Sequence, residues 1–320
     1  MMEKQIDKLR ERQIEIFNRQ KDDIILPKEI EKYYWNAIFN NIQGRYLEAW
    51  DEFQKSYEIL KKNKKSEGLF YIYIGMGLIA KEMEDYMGAL DFFDRAGAIL
   101  RKYPDEKKYC ILQNNIGEIY LCIRSYRKAI VHFNRVNNLK GKKDKGINGI
   151  ELLNLGIAYR KLGKLKKARQ YLESALEIMK DRKYYKEREL VYENLVCMEY
   201  QLKNYRKVVF YLAKVLDYMD TSLYIEGRYE EKGELLQILY ELEEEDVLIK
   251  WLWNDYQKNE KANRHSNCRV ICDMAIFYVI KKDSKELLSV LYDKYHYHSK
   301  KYGELVKEYQ KKSAGFQRKI

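Results

Sequence analysis

Three asparagines are the residues best spaced to do chemistry together. Asn115, Asn154 and Asn194 recur at steps of 39 and 40 residues. An asparagine amide offers a donor and an acceptor side by side. A row of such amides could therefore grip the backbone of an extended peptide, whatever that peptide's side chains. Asn114 stands beside the first member. Arg160 and Tyr200 follow the second and third by six residues each. A guanidinium at Arg160 could pair a carboxylate or a peptide C-terminus. The plainer alternative is that these amides bond the neighbouring helix. Other chemistry is poorly supplied. Of the four histidines (His132, His265, His296, His298), the last two are two residues apart, so on a helix they point in different directions. No His-x-x-x-His, carboxylate cluster or Cys-x-x-Cys suggests a metal site. Gly141, Gly146 and Gly149 belong to a Lys-rich loop rather than to a phosphate-binding one. The expectation is a protein that is not an enzyme, with no catalytic residue, no metal and no cofactor.

The elements that must position the asparagines are helical. In Glu151–Lys180 apolar residues recur at helical spacing on either side of one break, Leu162-Gly163-Lys164. This spells two amphipathic helices joined by a tight turn. Gly156 lets the second helix approach the first, and Ala168 faces it across the contact. The pattern repeats along the chain. The small residue of the second helix is Ala49, Ala89, Ala129, Ala168 and Val208, at steps of 40, 40, 39 and 40. The small position of the first helix is Ala37, Gly77, Gly117, Gly156 and Val196. A large residue four places after the second small one is Phe53, Phe93, Phe133, Leu172 and Leu212. Weaker copies follow near Leu248 and Leu287. One hairpin cannot bury both of its faces, so such units must stack. The asparagines stand two residues before the first-helix small position, and so form a ladder on the inner helices.

The Leu-Gly-x-x-Tyr … Ala-x-x-x-Leu-x-x-Ala pattern resembles the tetratricopeptide repeat. The fold it implies is all-α: a right-handed superhelical solenoid of about seven tetratricopeptide-like hairpins. The period is near 40 residues rather than the usual 34, which lengthens each helix by roughly 4–5 Å. Long, degenerate repeats over about residues 30–295 look like those of the cytoplasmic peptide-pheromone receptors of Gram-positive bacteria, the Rap, NprR, PlcR, PrgX and Rgg group. The resemblance implies asparagines at inward positions of successive first helices that hold a peptide. Many of those receptors begin with a helix-turn-helix or a three-helix bundle; no helix-turn-helix is recognisable here. Other inward positions are Glu118, Ile150, Leu153, Ile157, Glu193 and Cys197.

The domains expected are an N-terminal capping helix over 1–28, a repeat solenoid over 29–295, and a C-terminal capping helix with a basic tail over 296–320. Only 2 of 320 residues are proline, which suits a nearly all-helical chain. No apolar run is long enough to span a membrane, the N-terminus shows no apolar signal region, and the five cysteines read as reduced thiols. A cytoplasmic protein without membrane contact is the expectation. Charge is uneven. Residues 109–218 hold 23 Lys and Arg against 11 Asp and Glu, while 226–260 hold 4 against 11. The basic excess sits in turns, which fall along solenoid rims and would draw an acidic peptide or protein. The acidic stretch Glu241–Asp246 leaves a homodimer open. Together these point to a protein- or peptide-binding module, a receptor that takes a short peptide or extended segment in its groove and regulates a partner. A passive scaffold is the alternative, and a nucleic-acid binder using the basic rims a weaker one.

Overall fold

The computed structural model describes residues 26–63, 66–139, 149–180, 185–219, 264–281 and 285–318, with scattered positions between 235 and 261. The described residues are helical and include no strand. Successive helices pair as hairpins: α1 (Lys28–Ile42) with α2 (Tyr46–Lys62), α3 (Leu69–Glu82) with α4 (Tyr86–Lys102), and α5 (Glu106–Cys122) with α6 (Tyr126–Leu139). The series continues with α7 (Ile150–Lys161) and α8 (Leu165–Ile178), then α9 (Tyr185–Gln201) and α10 (Tyr205–Met219). Two further helices are α11 (His265–Lys281) and α12 (Lys285–Gln317). The fold is the all-α tetratricopeptide solenoid that the periodicity predicts. The capping helix expected before residue 28 lies largely outside the described residues. The expected boundary at 295/296 falls inside α12.

One turn is used five times. The residue that closes each first helix sits in the left-handed region: Gly44, Glu84, Arg124, Gly163 and Lys203, with φ between 56° and 73°. The next residue's N–H then reaches back to the carbonyl five places earlier, as in Arg45 to Asn40, Ser125 to Tyr120, Lys164 to Tyr159 and Asn204 to Glu199, at 2.8–2.9 Å. That is a Schellman-type end, and it satisfies a carbonyl the helix leaves open. Three of the five positions tolerate a left-handed non-glycine residue at a cost of about 1–2 kcal/mol each. The stacked hairpins hold the turn in place.

Close packing inside each hairpin follows from the small residues. A Cβ on Gly77, Gly117 or Gly156 would stand 2.4, 2.4 or 2.6 Å from Phe93, Phe133 or Leu172. Each glycine therefore admits the large residue of its own second helix. Those large residues are all fully buried, a burial that stabilises by about 1.5–3 kcal/mol apiece.

The chain divides into two compact units. Unit 1 holds α1–α4 and the end of α12, from Val306. Its core is aromatic: Tyr34, Trp50, Phe53, Phe70, Phe92 and Phe93 are buried. The end of α12 lies over the outer sides of α2 and α4. Trp50 stacks edge-on against Tyr309 and Phe316 at centroid distances of 5.3 and 5.9 Å, and Phe316 also meets Tyr57 and Phe92. Unit 2, residues 106–305, holds α5–α11 and the start of α12. Its core is aliphatic and runs from Leu121 and Phe133 through Leu155, Leu172, Val196 and Val215 to Ile271.

Candidate functional site

Asn115, Asn154 and Asn194 lie on α5, α7 and α9, three consecutive first helices of unit 2. α7 packs beside both α5 and α9. Asn154 and Asn194 are buried, at 1 % and 0 % exposure, whereas Asn115 and Asn114 are half-buried. Asn194 Nδ2 donates to Leu190 O at 2.8 Å, and Asn115 Nδ2 donates to Ile111 O at 2.9 Å, the same backward bond one turn along the helix. Asn194 Oδ1 accepts from Arg160 Nε at 3.0 Å. Arg160 is itself 2 % exposed. The structure thus brings Arg160 and Asn194 into direct contact between successive first helices. Tyr200 is half-buried, and its hydroxyl donates to the Glu241 carboxylate. That bond to an anion pushes its pKa up to about 12.

These side chains belong to a longer polar row. Glu151, Glu189, Glu193 and Glu199 are also buried on α7 and α9. α7 is buried at every position from Glu151 to Arg160, on all sides of the helix. Buried charges are costly unless paired and hydrogen-bonded. Glu199 shows how that is done: it accepts from Arg169 Nη2 at 2.5 Å and from Asn204 Nδ2 at 3.0 Å, with Lys207 Nζ 3.9 Å away. Periodicity placed Glu193 inward but missed Glu151, Glu189 and Glu199. One signal was present. Glu199 holds the place of Tyr120 and Tyr159 in the earlier repeats, whose rings lie under Lys128 and Lys167 at 5.4 and 5.5 Å. A carboxylate in a packing-aromatic column, keeping the same lysine partner, marks an ion pair.

A second polar cluster escaped sequence reasoning altogether. His298 Nε2 meets Tyr256 Oη at 2.9 Å, and the Nδ1 atoms of His265 and His298 are 2.8 Å apart. Tyr256 Oη donates to Glu260 at 2.6 Å and accepts from Lys294 Nζ at 3.2 Å. Burial, then the neighbouring His265, pushes His298 down to about 4; burial, then Lys301, lowers His265. Two neutral imidazoles can share one proton in such a contact, one donating and one accepting. The pair is 33 residues apart in sequence, so no local motif announces it. Among the described residues, no group of three or more His, Cys, Asp or Glu is arranged to hold a metal ion, and no helix is long and apolar enough to cross a membrane.

Comparison with known proteins agrees with the fold. The tetratricopeptide repeat family model matches residues 150–182, the α7–α8 hairpin. Among solved structures, a Rap protein complexed with competence and sporulation factor is similar over 91 % of this chain and 80 % of its own, with TM-score 0.60 and 15 % identity. The apo form of RapI is similar over 92 % and 80 %, with TM-score 0.54 and 16 % identity. The Rap conjugation gene regulator of plasmid pLS20, in complex with the Phr* peptide, is similar over 69 % and 61 %, with TM-score 0.55 and 20 % identity. At these identities the likeness is one of fold.

Proposed function

We propose that this tetratricopeptide-repeat protein, which resembles the Rap proteins in fold, is a cytoplasmic receptor that binds a short peptide on the first helices of unit 2 and regulates a partner. The observation that carries the reading is the buried Arg160–Asn194 hydrogen bond, which ties α7 to α9 with Asn154 two turns away on α7. Buried polar groups weaken a core relative to apolar ones, so a row of them on one set of helices fits recognition better than stability. Two of the solved structures of similar fold are Rap proteins with competence and sporulation factor or Phr* peptide bound, which supports a peptide as ligand.

The mechanism follows from what the amides do now. Asn115 and Asn194 each donate to their own helix, and Asn194 also accepts from Arg160. An extended peptide would exchange those bonds for bonds to its own backbone, with Asn154 and Asn114 as further partners and Tyr200 at the far end. Arg160 would take the peptide's carboxylate, a charge-assisted bond about twice as strong as a neutral one. Because Asn154 and Asn194 are buried, the binding-competent arrangement differs from this one, and a peptide would act by shifting the population between the two. That shift is what a regulated partner would sense.

The test is calorimetry with a library of short synthetic peptides, run beside small-angle scattering. The expected result is a peptide that binds and changes the scattering curve. Binding with an unchanged curve would favour a passive scaffold. Asn154→Ala with Asn194→Ala should weaken that peptide by about tenfold or more, since each lost amide bond is worth roughly 0.5–1.5 kcal/mol. A melting temperature that falls in step with affinity would mean that these amides are structural.

A further inference from the structure

The outer sides of the second helices differ in kind between the units. In unit 1 that side holds a helix. Residues 306–317 of α12 lay Tyr309 against Trp50 and Phe316 against Trp50 and Phe92, and three carboxylates bind the helix through its polar atoms. Lys312 Nζ reaches Asp51 at 2.6 Å, Tyr309 Oη reaches Asp85 at 3.0 Å, and Gln317 Nε2 reaches Asp91 at 3.1 Å. The repeat thus has a built-in way to dock a helix: an apolar centre on the outer side, framed by charge of opposite sign to the guest.

In unit 2 the register places other residues in those columns. Asp51 and Asp91 correspond to Gln170 on α8 and Phe210 on α10; Asp85 corresponds to Asn204. All three carboxylates are gone. The centre is apolar and open: Val209 is 62 % exposed and Phe210 57 %, with Tyr205 and Leu202 exposed beside them. The frame is basic. Just before the small residue stand Lys166-Lys167 on α8 and Arg206-Lys207 on α10, with Lys164 and Lys203 in the preceding turns. Those pairs occupy the first turn of each helix, where the dipole disfavours cations. Helix stability does not account for them. The carboxylates of α8, Glu173 and Glu177, lie in its later half; Glu199 lies 3.9 Å from Lys207, while Lys166 and Arg206 stand exposed.

We propose that the outer face of α8 and α10 docks an acidic amphipathic helix of a partner protein. Its apolar residues would cover Phe210 and Val209, and its carboxylates would lie across the basic first turns. This mirrors, with charge reversed, the way unit 1 holds residues 306–317. The proposal is independent of the peptide reading, because it uses the second helices and none of the asparagines.

The probe is a fluorescein-labelled peptide of residues 301–318 with Lys307, Lys311, Lys312 and Arg318 changed to Glu, followed by anisotropy against the full chain. It is expected to bind, with affinity falling as salt rises. The unaltered 301–318 peptide should bind at least about tenfold more weakly, as like charges then face each other. Phe210→Ser and Arg206→Glu should each cost the inverted peptide about fivefold or more. Both side chains are exposed, so circular dichroism and melting should stay near the parent values. The proposal is overturned if the inverted and unaltered peptides bind alike, or if Phe210→Ser leaves binding unchanged. It is also overturned if a single-stranded oligonucleotide of similar length binds as tightly and with equal indifference to Phe210→Ser, since the face would then be a general polyanion surface.

Discussion

Units 1 and 2 are built from one hairpin, yet they bury different things. Among the described residues, the buried polar side chains of unit 1 are Ser56 and Ser313. Unit 2 buries Glu151, Asn154, Arg160, Glu193, Asn194, Glu199 and others. The outer sides are opposite as well. Trp50 and Phe92 are fully covered in unit 1, while Val209 and Phe210 stand open in unit 2. The contrast teaches that a repeat fixes the contact between its own two helices and little else. Gly77, Gly117 and Gly156 meet their large partners alike in both units. The inner and outer sides are left to vary: unit 1 packs its outer side, while unit 2 buries polar groups on its first helices and leaves Val209 and Phe210 open.

The sharpest way to break that comparison is to remove the aromatic lock of unit 1. Trp50→Ala or Phe316→Ala deletes a fully buried ring. Each should cost about 3–5 kcal/mol, read from urea unfolding. Hydrogen exchange should show the loss in α2, α4 and the end of α12 before any loss in α7 and α9. A cost under about 1 kcal/mol, or equal loss in both units, would mean that the two do not divide their stability in this way.

The lock also shows where sequence reasoning stops. The hairpins were legible because the contact between Gly117 and Phe133, or Gly156 and Leu172, is local and repeats at a fixed step. The turns were legible for the same reason, although left-handed Arg124 and Lys203 carry no glycine to mark them. The docking of Phe316 on Trp50 joins residues 266 positions apart, and no period predicts it. The site was half legible. Spacing placed Asn115, Asn154 and Asn194 on successive first helices. It could not tell that Asn194 is wholly buried or that Arg160 turns to meet it, because both depend on what covers α7 and α9.

A smaller effect sets the units apart by pH. All four histidines lie in unit 2. His132 and His298 are both pushed down to about 4, His132 by burial and then by Arg135. A histidine with a depressed folded pKa stays neutral in the native state while the unfolded chain takes up a proton. Its contribution is therefore present above the unfolded value of about 6.5 and fades as pH falls toward 4. Tyr256, Glu260, Lys294, Lys301 and Glu304 face the His265–His298 pair. Between pH 6.5 and 5, before carboxylates titrate heavily, unit 2 should lose exchange protection and unit 1 should not. His298→Gln should flatten the dependence. Equal loss in the two units over that range would assign the effect elsewhere.

The smallest effect is the most pointed, because its sign is unusual. Lys166 and Arg206 are exposed in the first turns of α8 and α10. A cation there opposes the helix dipole, and an anion is favoured by about 0.3–1 kcal/mol. Lys166→Glu and Arg206→Glu should therefore each raise the melting temperature slightly. Glu48 on α2 already holds the neighbouring first-turn place in unit 1 as a carboxylate, so the reverse change made in that unit, Glu48→Lys, should lower it by a similar amount. A rise on both reversals would show that this surface gives up stability at the starts of two successive second helices. If the two charge reversals instead destabilise unit 2, the basic first turns are part of its packing, and the contrast between the outer faces reduces to a difference in side-chain contacts.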